Sequence, residues 1–108
     1  MTIFAFIRNM LFGAAAKKEE TMGIEAIWNN VRRYEGEVFR TKTGVEYRYT
    51  VYGNYLLVNH DRRRLITKES LEAALMIQNP TPSRIESKGI WGRSYVYGII
   101  TDKRIRNV

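Results

Sequence analysis

Few residue types in this chain could carry catalysis or bind a metal ion. The sequence has a single histidine, His60, and no cysteine. These counts exclude multi-histidine metal sites, thiolate metal sites and cysteine nucleophiles. Neither a glycine-rich phosphate loop nor a local Ser-His-Asp arrangement accompanies His60. We therefore expect no catalytic residue, no metal and no cofactor.

One enzymatic alternative remains, a metal-independent ribonuclease. Small basic toxins cleave RNA with arginine, lysine, tyrosine and histidine side chains alone. The candidates for such a role here are His60, Arg62, Tyr47 and Arg48. Because the analogy rests on size and charge only, it ranks third, behind two binding functions.

Arginine and tyrosine offer binding chemistry instead. The net charge is +7, all of it contributed by residues 31–108, and arginine outnumbers lysine. Arginine binds phosphate and stacks on bases better than lysine does, and exposed tyrosine rings also stack on bases. The predicted nucleic-acid-binding residues are Arg40, Arg48, Tyr52, Tyr55, Arg62, Arg63 and Arg64.

Such a surface fits two kinds of partner. The leading hypothesis is a nucleic-acid-binding module, for DNA or RNA, with no catalysis of its own. The alternative is a protein-interaction module that acts on a partner of the host cell, because arginine and tyrosine are common in hot spots. The structural alternatives are a solvated surface, or an arginine run that pairs with Glu69, Glu72 or Glu86.

A three-stranded antiparallel β-meander over residues 36–61 is predicted to hold these side chains. Residues 45–52 alternate in polarity, which is typical of a half-buried strand. The dipeptide Gly53-Asn54 fits a two-residue hairpin turn, so that Tyr52 pairs with Tyr55.

The first hairpin of the meander is predicted to close through a three-residue loop that ends at Gly44. This register sets Phe39 opposite Tyr47, and Arg40 opposite Glu46. The predicted core face is Phe39, Tyr47, Tyr49, Val51, Leu56 and Val58. The predicted outer face is Arg40, Glu46, Arg48, Thr50, Tyr52, Tyr55 and Leu57.

Helices are predicted to cover the meander, so the expected fold class is α+β. Thr21 can cap a helix that runs to about Tyr34 and carries Trp28 in its apolar stripe. Thr67 can open a second helix that ends before Pro80.

The C-terminal third is less clearly patterned. Residues 79–92 hold both prolines and two glycines, which indicates a loop. Trp91 in this loop is either a lid on the core, the commoner case, or an exposed stacking platform. We predict a helix over Ser94–Asp102, because its apolar residues recur at four-residue spacing, although strand propensity is also high.

The N-terminal residues 1–20 are predicted to form a short amphipathic helix and a polar link, outside a single domain of residues 21–108. Arg8 interrupts the apolar run and no positive charge precedes it, so we do not interpret it as a signal peptide. The run is also too short to span a bilayer. We expect no membrane partner, and a cytoplasmic location fits the absence of cysteine.

Two stretches of sequence carry a family resemblance. They are Gly36-x-x-Phe39-x-Thr41-x-Thr43-Gly44-x-x-Tyr47-x-Tyr49-x-Val51 and Gly92-x-Ser94-Tyr95-Val96, the latter followed by Asp102-x-Arg104-Ile105. Over residues 24–106 the chain resembles small bacterial domains carried on mobile elements, such as integron gene-cassette proteins and modules attached to larger DNA-handling proteins. The resemblance implies a meander covered by helices. It transfers no catalytic residue.

Assembly into a homodimer is the first testable prediction. Full burial of a large apolar side chain contributes roughly 1.5–3 kcal/mol, and a soluble monomer rarely exposes many of them together. Residues 1–30 carry no net charge, so two +7 chains repel each other least there. Alternatively, this segment packs on its own domain or on a membrane surface. The predicted interface residues are Ile3, Phe4, Ile7, Met10, Leu11 and Phe12.

Light scattering measures this assembly directly. The full-length chain is expected to have the mass of a dimer at micromolar concentration, and deletion of residues 1–16 is expected to give a monomer. A full-length monomer, or a truncated chain that still dimerises, would contradict the proposed interface.

Overall fold

A computed structural model describes the backbone of residues 14–107 and the side chains of residues 23–107. Its helices are α1 (Ala14–Arg33), α2 (Lys68–Leu75), α3 (Pro82–Ser87), α4 (Arg93–Ile100) and α5 (Lys103–Arg106). Its strands are β1 (Phe39–Arg40), β2 (Glu46–Tyr47), β3 (Tyr49–Tyr52), β4 (Tyr55–Val58) and β5 (Leu65–Thr67). The predicted α+β class is confirmed.

The strands form two antiparallel sheets rather than one meander. Strands β1 and β2 pair in the predicted register, as do β3 and β4. The ladder is interrupted at Arg48, whose backbone N–H donates to the Asn59 side chain at 3.1 Å. The second sheet gains a strand that sequence analysis missed, because β5 pairs with β4.

The predicted core face of the strands is confirmed. Five of its six side chains are buried, and Val51 is half-buried. The hydroxyl groups of the two buried tyrosines are satisfied by backbone carbonyls. Tyr49 donates to Val31, and Tyr47 donates to Tyr95, each at 2.7 Å. Burial raises the pKa of both phenols.

Helix α1 supplies the first layer over this face. Its predicted apolar stripe is buried, with Trp28 fully enclosed. Among the described residues the helix already includes Ala14, ahead of the cap predicted at Thr21. The alanine-rich start favours helix, and the single Gly23 costs only about 1 kcal/mol. The predicted interface residues 3–12 lie outside the described residues.

The C-terminal helices complete the cover. Thr67 caps α2 as predicted, its hydroxyl accepting the Ser70 N–H at 3.0 Å. The predicted loop over residues 79–92 is wrong in part, because it contains α3. Thr81 caps this helix and Pro82 occupies its first turn, a start signal that the sequence does carry. The predicted C-terminal helix is confirmed as α4, although Gly92 precedes it rather than Ser94.

Helix α4 packs unusually close to the β1–β2 hairpin at Gly98. A Cβ atom at this position would lie 2.5 Å from the Arg40 carbonyl oxygen and would also collide with the Tyr47 hydroxyl. Only glycine allows this approach without a shift of the backbone. The close packing brings the Tyr47 hydroxyl to the Tyr95 carbonyl of the same helix.

Two glycine-to-alanine substitutions test this packing. Gly98→Ala is expected to destabilise the protein by roughly 1–3 kcal/mol, because an overpacked core must shift. Gly23→Ala is the matched control, since nothing lies within 4 Å of its added methyl group. It is expected to stabilise helix α1 by about 0.5–1 kcal/mol. Urea denaturation measures both, and equal effects of the two substitutions would contradict the close approach.

Candidate nucleic-acid interface

Tyr52 and Tyr55 form an exposed aromatic pair at the β3–β4 turn. Their ring centroids lie 5.8 Å apart and the ring planes are inclined by 26°. The side chains are 45% and 37% exposed, respectively. Stacked, solvent-facing rings of this kind offer a flat surface on which another planar group can stack.

The turn that carries this pair is anchored on both sides. The Trp28 indole nitrogen donates to the Gly53 carbonyl at 3.2 Å, and the Lys68 backbone N–H donates to the Asn54 carbonyl at 2.8 Å. Lys68 also forms an ion pair with Glu25 of α1 at 2.7 Å. The aromatic pair therefore stands on a backbone held by two helices.

The solvent side of the three-stranded sheet, which we call the open face, extends from this pair. Thr50, Leu57 and Leu65 are cross-strand neighbours on it. Leu65 is 41% exposed, and Thr50 and Leu57 are half-buried. The centre of the open face is thus apolar and hydroxylic rather than charged.

The arginine run, Arg62 to Arg64, lies at the opposite end of the open face, in the turn between β4 and β5. The turn begins with Asn59 and His60 in left-handed conformations, φ 53° and 58°. From Tyr55 to Asn59 the strand spans roughly 13 Å. The tyrosine pair and the arginine run therefore share one sheet but do not touch.

Asp61 binds two of the three arginines of the run. Its carboxylate accepts the Arg63 backbone N–H at 2.9 Å and pairs with the guanidinium groups of Arg63 and Arg64 at 3.3 and 3.4 Å. The backbone and side-chain hydrogen bonds from Arg63 lower the pKa of Asp61. The partner of the run is therefore Asp61, and not the more distant glutamates considered from the sequence.

The three arginines differ in exposure. The Arg63 side chain is 90% exposed, and Arg62 is also exposed. Arg64 turns toward α4, where it donates to the Tyr95 hydroxyl at 3.0 Å and lies 5.7 Å from the centre of that ring. Arg62 and Arg63 are available to a polyanion, whereas Arg64 links the run to α4.

The side chains of the remaining two predicted binding residues both have hydrogen-bond partners within the chain. Arg40 pairs with Glu46 at 2.6 Å on the β1–β2 hairpin. Arg48 donates to the Gly36 carbonyl at 2.7 Å. The structure thus gathers Tyr52, Tyr55, Arg62 and Arg63 around the open face and leaves Arg40 on the other sheet. The backbone of Arg48 lies opposite Asn59, at the arginine end of the open face.

The residues considered for a ribonuclease do not form one site. The Tyr47 hydroxyl is buried and bonded to Tyr95, while His60 is exposed with its Nδ1 atom 3.4 Å from the Thr50 hydroxyl. The expected pairing of His60 opposite Tyr47 is wrong, because β4 ends at Val58 and His60 lies in the turn that follows, with φ 58°. Within residues 23–107, no group of three or more acidic or histidine side chains could hold a metal ion.

Sequence reasoning undervalued Trp91. It is 52% exposed, so the lid alternative is wrong, and the indole faces solvent. It lines a surface groove of about 560 Å³ together with Arg93 and Tyr95. The available signal was a tryptophan placed between Gly89 and Gly92, where the chain turns with positive φ.

The comparisons with known proteins add nothing to this geometry. The chain matches no protein family, no curated protein and no solved structure. Among the described helices, none is both long and apolar enough to cross a bilayer. The conclusions on function therefore rest on the arrangement of side chains.

Acid titration tests the role of Asp61. A carboxylate whose pKa is lowered by folding stabilises the native state above its unfolded pKa, and this contribution is lost as pH falls through the folded value. Asp61→Asn is therefore expected to reduce stability at pH 6, and the difference from wild type is expected to shrink below about pH 4. Urea denaturation across this pH range measures the difference in unfolding free energy between the variant and wild type. A difference independent of pH would show that the Asp61 charge contributes nothing.

Proposed function

We propose that this protein is a nucleic-acid-binding module with no catalysis of its own. The observation that carries the proposal is the stacked, exposed Tyr52–Tyr55 pair on the open face, which ends in exposed Arg62 and Arg63. Aromatic rings supply stacking surfaces for bases, and arginines neutralise phosphates. A sheet face of this kind presents both chemistries to one ligand.

The charge of the chain supports the same function. A net charge of +7 attracts any polyanion, and release of counterions makes such binding steeply dependent on salt. Nonspecific affinity is expected at a Kd on the order of 10⁻⁴–10⁻⁶ M at physiological salt. Since the ionised arginines provide this attraction at every physiological pH, binding is expected to change little between pH 6 and 8.

The biological setting is part of the proposal. The resemblance to integron gene-cassette proteins fits a bacterial, cytoplasmic module that handles mobile DNA or its transcripts. A homodimer formed through residues 3–12 would carry two open faces on one particle. Two linked faces would raise avidity for a long polyanion without any additional interaction at either face.

Binding measurements with matched variants test the proposal. Fluorescence anisotropy would follow labelled DNA and RNA, single-stranded and duplex, over several salt concentrations. The double variant Tyr52→Ala/Tyr55→Ala is expected to bind single strands about 5- to 150-fold more weakly for each base that no longer stacks, equivalent to roughly 1–3 kcal/mol.

The charge contribution is measured separately. Arg62→Ala/Arg63→Ala is expected to reduce the slope of log K against log salt by about 1 for each phosphate that is no longer neutralised. Lys103→Ala removes one exposed positive charge at the start of α5 and serves as the control. Absence of binding to every nucleic acid at low salt would refute the proposal.

The apolar centre of the open face favours one second candidate, a protein-interaction module. Leu57 and Leu65 lie between the tyrosine pair and the arginine run, and apolar centres with aromatic and arginine neighbours are typical of protein interfaces. An acidic protein that binds the open face, with no affinity for nucleic acid, would establish this alternative.

A further inference from the structure

Trp91 is held outward by the chain on both sides of it. Gly92 adopts φ +79°, and a Cβ atom there would lie 3.4 Å from the Ile66 side chain of β5. Ile90, on the other side, is buried with 8% exposure. The backbone is thus fixed by Ile90 and Gly92, while the indole between them remains in solvent.

The groove beside this indole carries both charge and hydroxyl groups. Arg93 and Glu86 both line it and pair with each other, so the two charges cancel within the groove. Arg93 and Ser94 also line a second groove of about 500 Å³, which extends to Lys42 and Thr43 of the β1–β2 loop. Lys42 adds a positive charge to this extension.

The arginine run connects this groove with the open face. Tyr95 lines the groove, and its hydroxyl accepts a hydrogen bond from Arg64 at 3.0 Å. Arg64 follows the exposed Arg62 and Arg63 in the chain. The tyrosine pair lies on the open face, whereas Gly92, next to Trp91, packs on the inward Ile66 side chain. The two aromatic surfaces therefore lie on opposite sides of the sheet, and Arg64 contacts the second one through Tyr95.

We propose that the Trp91 groove is a second base-stacking site, and that the protein binds one single strand from the tyrosine pair, past the arginine run, to Trp91. This inference rests on the proposed function and specifies its ligand. Unpaired bases can turn their faces to an aromatic side chain, whereas the bases of a duplex are already stacked on each other. Two aromatic surfaces separated by arginines thus suit a single strand.

The chain offers a direct probe of this stacking. It has two tryptophans, of which Trp28 is fully buried and Trp91 is exposed. A base stacked on Trp91 is expected to quench its emission, while Trp28 remains unaffected. In Trp91→Phe the emission comes from Trp28 alone, so that it also reports whether the fold is intact.

The experiment combines anisotropy with tryptophan emission, on the full chain. Unstructured DNA and RNA oligonucleotides of about 4 and about 12 nucleotides, a range that single-strand-binding domains cover, are compared with a duplex. Trp91→Ala is expected to weaken binding of the longer strands about 5- to 150-fold. The shorter strands and the duplex are expected to be affected less, and Trp91→Phe to retain most of the affinity.

Met76→Ala, which truncates a side chain that is 70% exposed elsewhere, is the control. If Trp91→Ala binds long strands as wild type does, while the Tyr52 and Tyr55 variants do not, the second site is wrong and the proposed function stands. Duplex binding that quenches Trp91 equally would overturn the single-strand assignment. Absence of binding to any oligonucleotide would refute the proposed function itself.

Discussion

The close packing of α4 on the β1–β2 hairpin at Gly98 is the constraint on which the rest of the arrangement depends. Because glycine has no Cβ, the helix can lie against the Arg40 carbonyl, and the buried Tyr47 hydroxyl can reach the Tyr95 carbonyl. The Tyr47 and Tyr95 rings then meet edge to face, 5.0 Å apart. One small residue thus determines where the start of α4 lies relative to both sheets.

Tyr95 of α4 connects the core to the arginine run at the surface. Its ring packs against Tyr47 on the inner side, and its hydroxyl accepts from Arg64 on the outer side. Arg64 is held in turn by Asp61. A continuous set of interactions therefore runs from the core to the arginine run. The backbone that carries the exposed arginines is held in place by the packing of the core.

Sequence patterns predicted the elements whose signals are local. Alternation and the Gly53-Asn54 turn predicted the β3–β4 register, and Thr67 predicted the start of α2. Strand β5 was missed because three residues after an arginine run carry little periodicity, and residues 59–64, which join it to β4, contain no glycine or proline to mark a turn. The separation of Arg40 from the open face was missed because the strand is interrupted between Tyr47 and Tyr49, which divides one predicted face between two sheets.

The alternation of β3 and β4 has a consequence for how such a protein diversifies. Every inward side chain of these strands belongs to the core, while Tyr52, Tyr55 and their neighbours on the open face make few interactions that the fold requires. Substitutions on the outward positions are therefore largely free of folding cost. The ligand preference can therefore change in evolution through substitutions at these outward positions, while the fold stays the same. Relatives of such a protein are then better recognised by their inward residues than by the ligands that they bind.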